Sequence, residues 1–194
     1  MGLRDILTGR HEVKGPAPDR MFAISTAYVT LETEHQISAA GKAAIVFQAL
    51  ATSEFEETLR EMEELVTATG GDSGTSVSTQ DDSYGYKWMV LQNPAGAPSI
   101  EDLAVGINAV SGSIETAGHG ERLLCAVFAF TDAKGAPIYF IYNYKRGYWY
   151  PFVPASGDKQ RSTERELQLK AQMSSELPIE PELERWFPLW GIPI

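Results

Sequence analysis

Hydrophobic and polar positions along this chain recur with two periods, and their alternation predicts most of its elements. The helical period is clear in two places. Phe55, Leu59, Met62 and Val66 recur at steps of three and four, as do Ile100, Leu103, Ile107, Val110 and Ile114. Ser53 with Glu56, and Ser99 with Asp102, read as helix N-caps, and Gly70-Gly71 reads as a stop. Gly106 and Gly112 interrupt the second stripe and mark places where another element packs closely. A third, more charged stripe, Leu167, Lys170, Met173 and Leu177, follows a cap predicted at Thr163 and Glu166.

The strand period fills the intervals. Ala27, Val29 and Leu31 alternate with Tyr28, Thr30 and Glu32, which predicts a half-buried strand, and 42–50 is apolar enough for a central one. Residues 75–79 make a short strand, and Tyr84, Tyr86, Trp88 and Val90 line one face of the next. Residues 123–130 and 138–144 flank a turn at Asp132-Ala133-Lys134-Gly135. From Met21 onward this gives three units of two strands and a helix. The expected class is α+β: a mostly antiparallel sheet from repeated ββα units, helices on one face, and a C-terminal helix and tail. The expected organisation is a short amphipathic segment and linker over 1–20, an α+β domain over 21–160, and a helix and aromatic tail over 161–194 packed on it.

The chain of 194 residues carries a net charge of −10, a field that repels nucleic acid and anionic membrane surfaces. Its one cysteine, Cys125, sits in an apolar run and excludes an internal disulfide. No apolar run is long enough to span a bilayer, and a reducing cytoplasm is the expected location. Leu3, Ile6 and Leu7 share a helical face in the first ten residues, which could touch a membrane or a partner.

Candidate chemistry is sparse. Gly71-Asp72-Ser73-Gly74 looks like a serine-nucleophile loop, but no histidine base precedes it in a fitting context. His11, His35 and His119 are scattered and lack zinc-site spacing; Asp81-Asp82 reads as a solvated turn. No catalytic residue, metal site or cofactor is expected. Arg146-Gly147-Tyr148-Trp149-Tyr150-Pro151-Phe152 partly matches an RNA-recognition strand. Trp149 and Pro151 depart from that pattern, and the acidic chain opposes it.

The densest signal is aromatic. Tyr148, Trp149, Tyr150 and Phe152 follow Lys145 and Arg146, and Trp186, Phe187 and Trp190 close the chain. Aromatics beside arginine are the usual composition of interface anchors, so Lys145, Arg146, Tyr148, Trp149, Tyr150, Phe152, Trp186 and Trp190 form the candidate partner surface. The competing reading is that the two clusters bury each other and tie the tail to the sheet. A ligand pocket between the sheet and helix 99–117 is a further alternative. A strand near 138–144, if at a sheet edge, could pair across a twofold axis or be covered by the tail.

Met1-Gly2-Leu3-Arg4-Asp5-Ile6-Leu7-Thr8-Gly9-Arg10, Met21 to Glu32, Asp82 to Trp88, Tyr144 to Phe152 and Glu176 to Gly191 resemble, in order, segments of the PspA-associated AB family, PspAB. The resemblance implies a non-enzymatic accessory of the PspA envelope-stress system. It would act by protein binding near the inner face of the membrane, with PspA, its associated proteins or a HtpX-like membrane metallopeptidase as partners. It transfers no catalytic residues. A small-molecule or lipid-binding α+β domain is the alternative.

Overall fold

A computed structural model describes residues 18–69 and 74–194. The amphipathic segment of residues 1–10, His11, the Gly70-Gly71 stop and Ser73 of the serine loop lie outside the described residues. The order is α1 (Pro18–His35), β1 (Ser38–Phe47), α2 (Ser53–Thr69), β2 (Ser76–Asp81), β3 (Lys87–Gln92), α3 (Ile100–Thr116), β4 (Leu123–Thr131), β5 (Pro137–Asn143), β6 (Tyr148–Phe152) and α4 (Thr163–Met173). Single 3-10 turns precede β4 and sit within the tail. The six strands form one antiparallel sheet in the order β2-β3-β1-β4-β5-β6, an α+β fold.

The first ββα unit is not present: residues 27–32 lie in α1. Met21, Ile24, Ala27 and Leu31 are buried at helical steps, whereas Val29, placed on the same strand face as Ala27 and Leu31, is 60% exposed. Six residues of alternation are too few to separate the two periods. Pro18 starts α1, where its missing N–H costs nothing, so the predicted linker ends before it. The second unit, β2-β3-α3, stands as expected. The third has three strands, because 148–152 adds β6. β1 begins earlier than the apolar run suggests, since a bulge at Gly41 (φ 69°) carries the strand past its glycine.

Helix caps follow the sequence in part. Ser99 Oγ accepts from Asp102 N–H at 3.1 Å, as expected. At α2 the cap is one residue earlier: Thr52 Oγ1 accepts from Phe55 N–H at 3.3 Å. Glu166 does not cap α4. It is buried, and the helix turns Glu166, Leu169 and Met173 inward while Leu167 is exposed.

One sheet face carries the helices and the main core, which includes Ile45, Met89, Phe128, Tyr142 and the stripes of α2 and α3. Ala44, Val46, Trp88, Val90, Cys125, Val127, Tyr150 and Phe152 point to the other face. The C-terminal tail connects the two. Leu177 lies in the helix-side core, Ile179 bridges Trp149 at the outer edge of β6, and Trp186 packs on the far face. Trp149 N–H donates to Pro178 O at 2.9 Å and Glu180 N–H to Trp149 O at 2.8 Å. The sheet edge that the tail covers is therefore β6. β5 lies between β4 and β6 and has no free edge for a twofold partner. Pro151 is tolerated because an edge strand needs no ladder donor on its outer side.

Gly106 and Gly112 separate cleanly. A Cβ at Gly106 would stand 2.3 Å from Leu91 Cδ2, a fully buried side chain, so the close approach is to β3. A Cβ at Gly112 meets nothing within 4 Å. Gly106→Ala should destabilise by about 1–2 kcal/mol as overpacking outweighs helix propensity. Gly112→Ala should stabilise by up to about 1 kcal/mol. Urea denaturation of the two variants should show midpoint shifts of opposite sign.

Candidate functional site

The aromatic candidates divide by strand parity. Trp149 points to the helix side, fully buried, with Tyr142 and Phe128 at 5.2 and 5.7 Å between ring centroids. Its Nε1–H donates to Arg20 O at 2.7 Å. Tyr150 and Phe152 point to the far face. Tyr150 stacks on Trp186 at 6.3 Å and donates its hydroxyl to Phe187 O at 3.1 Å, while Phe152 meets the edge of Trp190 at 5.2 Å. Trp149, Tyr150, Phe152 and Trp186 are thus covered within the chain, and the two clusters tie the tail to the sheet. None of the Trp149, Tyr150 and Phe152 rings is free to stack on a base. Truncating Trp149 would hollow the core rather than report on docking.

The cations of the same stretch part company. Arg146 pairs with buried Glu180, Nε on Oε2 and Nη2 on Oε1 at 3.1 Å, and reaches Glu182. Tyr148 is held between the Arg20 and Arg146 guanidinium groups, 5.4 and 5.9 Å from its ring centre. Lys145 is exposed and has no ion-pair partner among the described residues.

What the tail leaves open on the far face is a groove of about 480 Å³. Its floor is one row across the sheet: Trp88 pairs with Val46, Val46 with Cys125, and Cys125 with Asn143. The β2–β3 turn, with Asp82, Tyr84 and Tyr86, walls one side. Phe187, Leu189 and Trp190 of the tail wall another, and Lys145 stands at the rim. Tyr84, Tyr86 and Phe187 are 61, 39 and 59% exposed. Of the sequence candidates, only Lys145, Tyr150 and Trp190 line it. The signal missed was Tyr84-Gly85-Tyr86, read as strand although Asp82 and Gly85 frame a turn.

Asp82 builds that turn. Its Oδ1 accepts from Tyr84 and Tyr86 N–H at 2.8 and 2.9 Å, and its Oδ2 from Trp88 Nε1–H at 3.0 Å. Asp132 makes the same pair of backbone bonds in the β4–β5 turn, each with a glycine of positive φ three residues on. Burial pushes the Asp82 carboxyl up, but the Trp88 bond and the backbone N–H groups outweigh it and hold the group below its ordinary 3.8. Cys125, on the groove floor, has its thiol pushed up to about 12 by burial, which leaves it a poor nucleophile.

The space between the sheet and α3, where a ligand pocket was expected, is filled by Leu91, Leu103, Ile107 and Val110, all fully buried. A second depression, about 720 Å³, lies between α2 and α3 and includes Glu61, Leu65, Asn108 and Ser113. Among the described residues no three His, Cys, Asp or Glu side chains converge as metal ligands, and no helix is long and apolar enough to cross a membrane. His119 packs edge-on against Phe55 at 5.1 Å.

Because the folded carboxyl of Asp82 titrates below its unfolded value, its contribution to stability is full above about pH 4 and is lost as pH falls through the lowered pKa. Acidification from pH 5 to about 3 should therefore expose Trp88, seen as a red shift in tryptophan fluorescence, before global unfolding. In Asp82→Ala the exposure should already be present at neutral pH and show no such step.

Comparison with known proteins gives one positive result. The chain matches no curated protein and no solved structure. The sequence model of the family described as PspA associated protein B matches residues 1–194, end to end. The molecule with this tail-latched sheet and open aromatic groove therefore belongs to the PspAB family.

Proposed function

We propose that this protein is a non-enzymatic accessory of the PspA envelope-stress system. It works in the cytoplasm, near the inner face of the membrane, by docking PspA or a PspA-associated protein in the aromatic groove. The family name carries the association with PspA. The observation that carries the site is the set of exposed rings, Tyr84, Tyr86 and Phe187, around an apolar floor. In a chain that buries Trp149, Tyr150, Phe152 and Trp186, rings left in water around a concavity fit an interface better than a core. Binding rather than catalysis is supported by the groove's own groups. The Asp82 oxygens are engaged in holding a turn, and the Cys125 thiol is held in its protonated form.

A HtpX-like membrane peptidase is the alternative partner for the same surface. A small apolar molecule or lipid chain is the second reading, favoured by a volume within the roughly 300–1,000 Å³ typical of ligand pockets.

Titration of purified PspA against the full chain tests the proposal. Phe187→Ala and Tyr86→Ala remove exposed rings without touching the core, and each should weaken binding by about tenfold. Undiminished binding by both variants would place docking elsewhere. Absence of binding by the unaltered protein would remove PspA as its direct partner.

A further inference from the structure

The groove carries opposite charges at its two ends. Asp82 stands in the turn that joins β2 to β3, and Lys145 in the turn that joins β5 to β6; both line the groove. The Trp88–Val46–Cys125–Asn143 row places both turns at the same end of the sheet. Three to four strand spacings separate them, about 14–19 Å. Neither charge is paired with an opposite one among the described residues. The donors on Asp82 from Tyr84, Tyr86 and Trp88 are neutral N–H groups, so they hold the carboxylate in place and leave its negative charge uncompensated. Lys145 has no ion-pair partner among the described residues, whereas Arg60, Lys87, Arg146, Arg161 and Arg185 all do.

A third polar group lies beside them. Asn143 lines the groove, and its Oδ1 is shielded from water and has no hydrogen-bond partner among the described residues, so a small turn of the side chain would present it to the groove. An unsatisfied buried acceptor is costly, and a donor arriving from outside would relieve it. Between the two ends the surface is apolar and ring-rich, with Trp88, Tyr150, Leu189 and Trp190.

We propose that the groove recognises a short peptide segment with a basic residue at one end, bulky apolar residues across the middle and an acidic residue at the other end. The basic residue lies on Asp82, the acidic one on Lys145, and an N–H of the segment donates to Asn143 Oδ1. A peptide fits better than an anionic lipid. Two of the three polar groups, Asp82 and Asn143 Oδ1, call for donors, which the anionic phosphate of a lipid cannot supply, and the net charge of −10 opposes an anion. This inference rests on the groove being a protein-docking site, and it holds whether or not PspA supplies the segment.

Selection from a displayed library of random 14-residue peptides tests it, with the immobilised full chain as bait and Phe187→Asp for counter-selection. Enriched peptides should carry Lys or Arg and Asp or Glu on opposite sides of at least two bulky apolar residues. A synthetic representative should lose about tenfold in affinity on Lys145→Glu, and recover it when its acidic residue is changed to Lys. Replacing its basic residue by Gln should cost several-fold, and both losses should shrink in high salt. Lys145 is exposed and unpaired, so its variant should fold normally. Enrichment of uncharged sequences, indifference to Lys145→Glu, or no enrichment over the counter-selection would each overturn the proposal. Peptides of the expected pattern alongside a PspA that does not bind would remove only the partner assignment.

Discussion

Two glutamates sit almost out of reach of water, and the second half of the molecule is organised around them. Glu166 accepts from Val153 N–H and from Arg161 Nε–H, both on Oε1, at 2.8 and 3.0 Å, and Arg161 Nη1 goes on to Trp186 O at 2.7 Å. Glu180 takes the fork of Arg146, while its own carbonyl accepts from Trp186 Nε1–H at 3.0 Å. A buried carboxylate is costly unless it is paired and hydrogen-bonded, so each of these groups demands its partners in place. The partners lie just past β6 at Val153, at Arg161 before α4, in the β5–β6 turn at Arg146 and on the tail at Trp186. Satisfying two charges therefore places some twenty residues of irregular chain across a sheet edge.

That latch explains why so many rings serve structure. The tail carries Trp186 to Tyr150 and Trp190 to Phe152, and Tyr139 donates its hydroxyl to Ile194 O at 3.1 Å at the end of the path. Lys170 and Arg161 stand over the rings of Trp186 and Phe152 at 5.7 and 5.4 Å. The far face of the sheet acquires a second core without a second layer of helices. The tail does not cover all of it, and the groove lies in the uncovered part. Its floor is central sheet, one wall is a turn clamped by Asp82, and another is the tail held by buried ion pairs. A surface built from such parts is ready before a partner arrives, which lowers the ordering cost of binding.

Much of this was legible in the chain where the information is local. The stripes of Phe55, Leu59, Met62 and Val66 and of Ile100 to Ile114 run for about three and four turns, long enough for one period to win, and all of these residues are buried. The Asp132 to Gly135 turn and the Ser99 cap depend on a few neighbouring atoms and were read correctly for that reason. α1 was missed because Ala27, Val29 and Leu31 satisfy a strand period over a window too short to exclude a helix. Glu166 looked like a capping residue because the pattern is the same whether the carboxylate turns back to its helix or inward to Val153 N–H.

The candidate surface could not be read the same way. Residue types alone determined that Tyr148 to Phe152 and Trp186 to Trp190 would be large contributors of apolar area, since ring size and density are properties of the chain. They did not determine whether that area faces a partner or the interior. Burial depends on where a tail more than thirty residues downstream comes to lie. The groove itself draws Val46, Trp88, Cys125 and Asn143 from four strands and adds Phe187 and Trp190 from the tail. Positions so distant in sequence become neighbours only when antiparallel pairing sets their register. Local periods are written in adjacent residues, but a surface made of what folding leaves uncovered exists only in three dimensions.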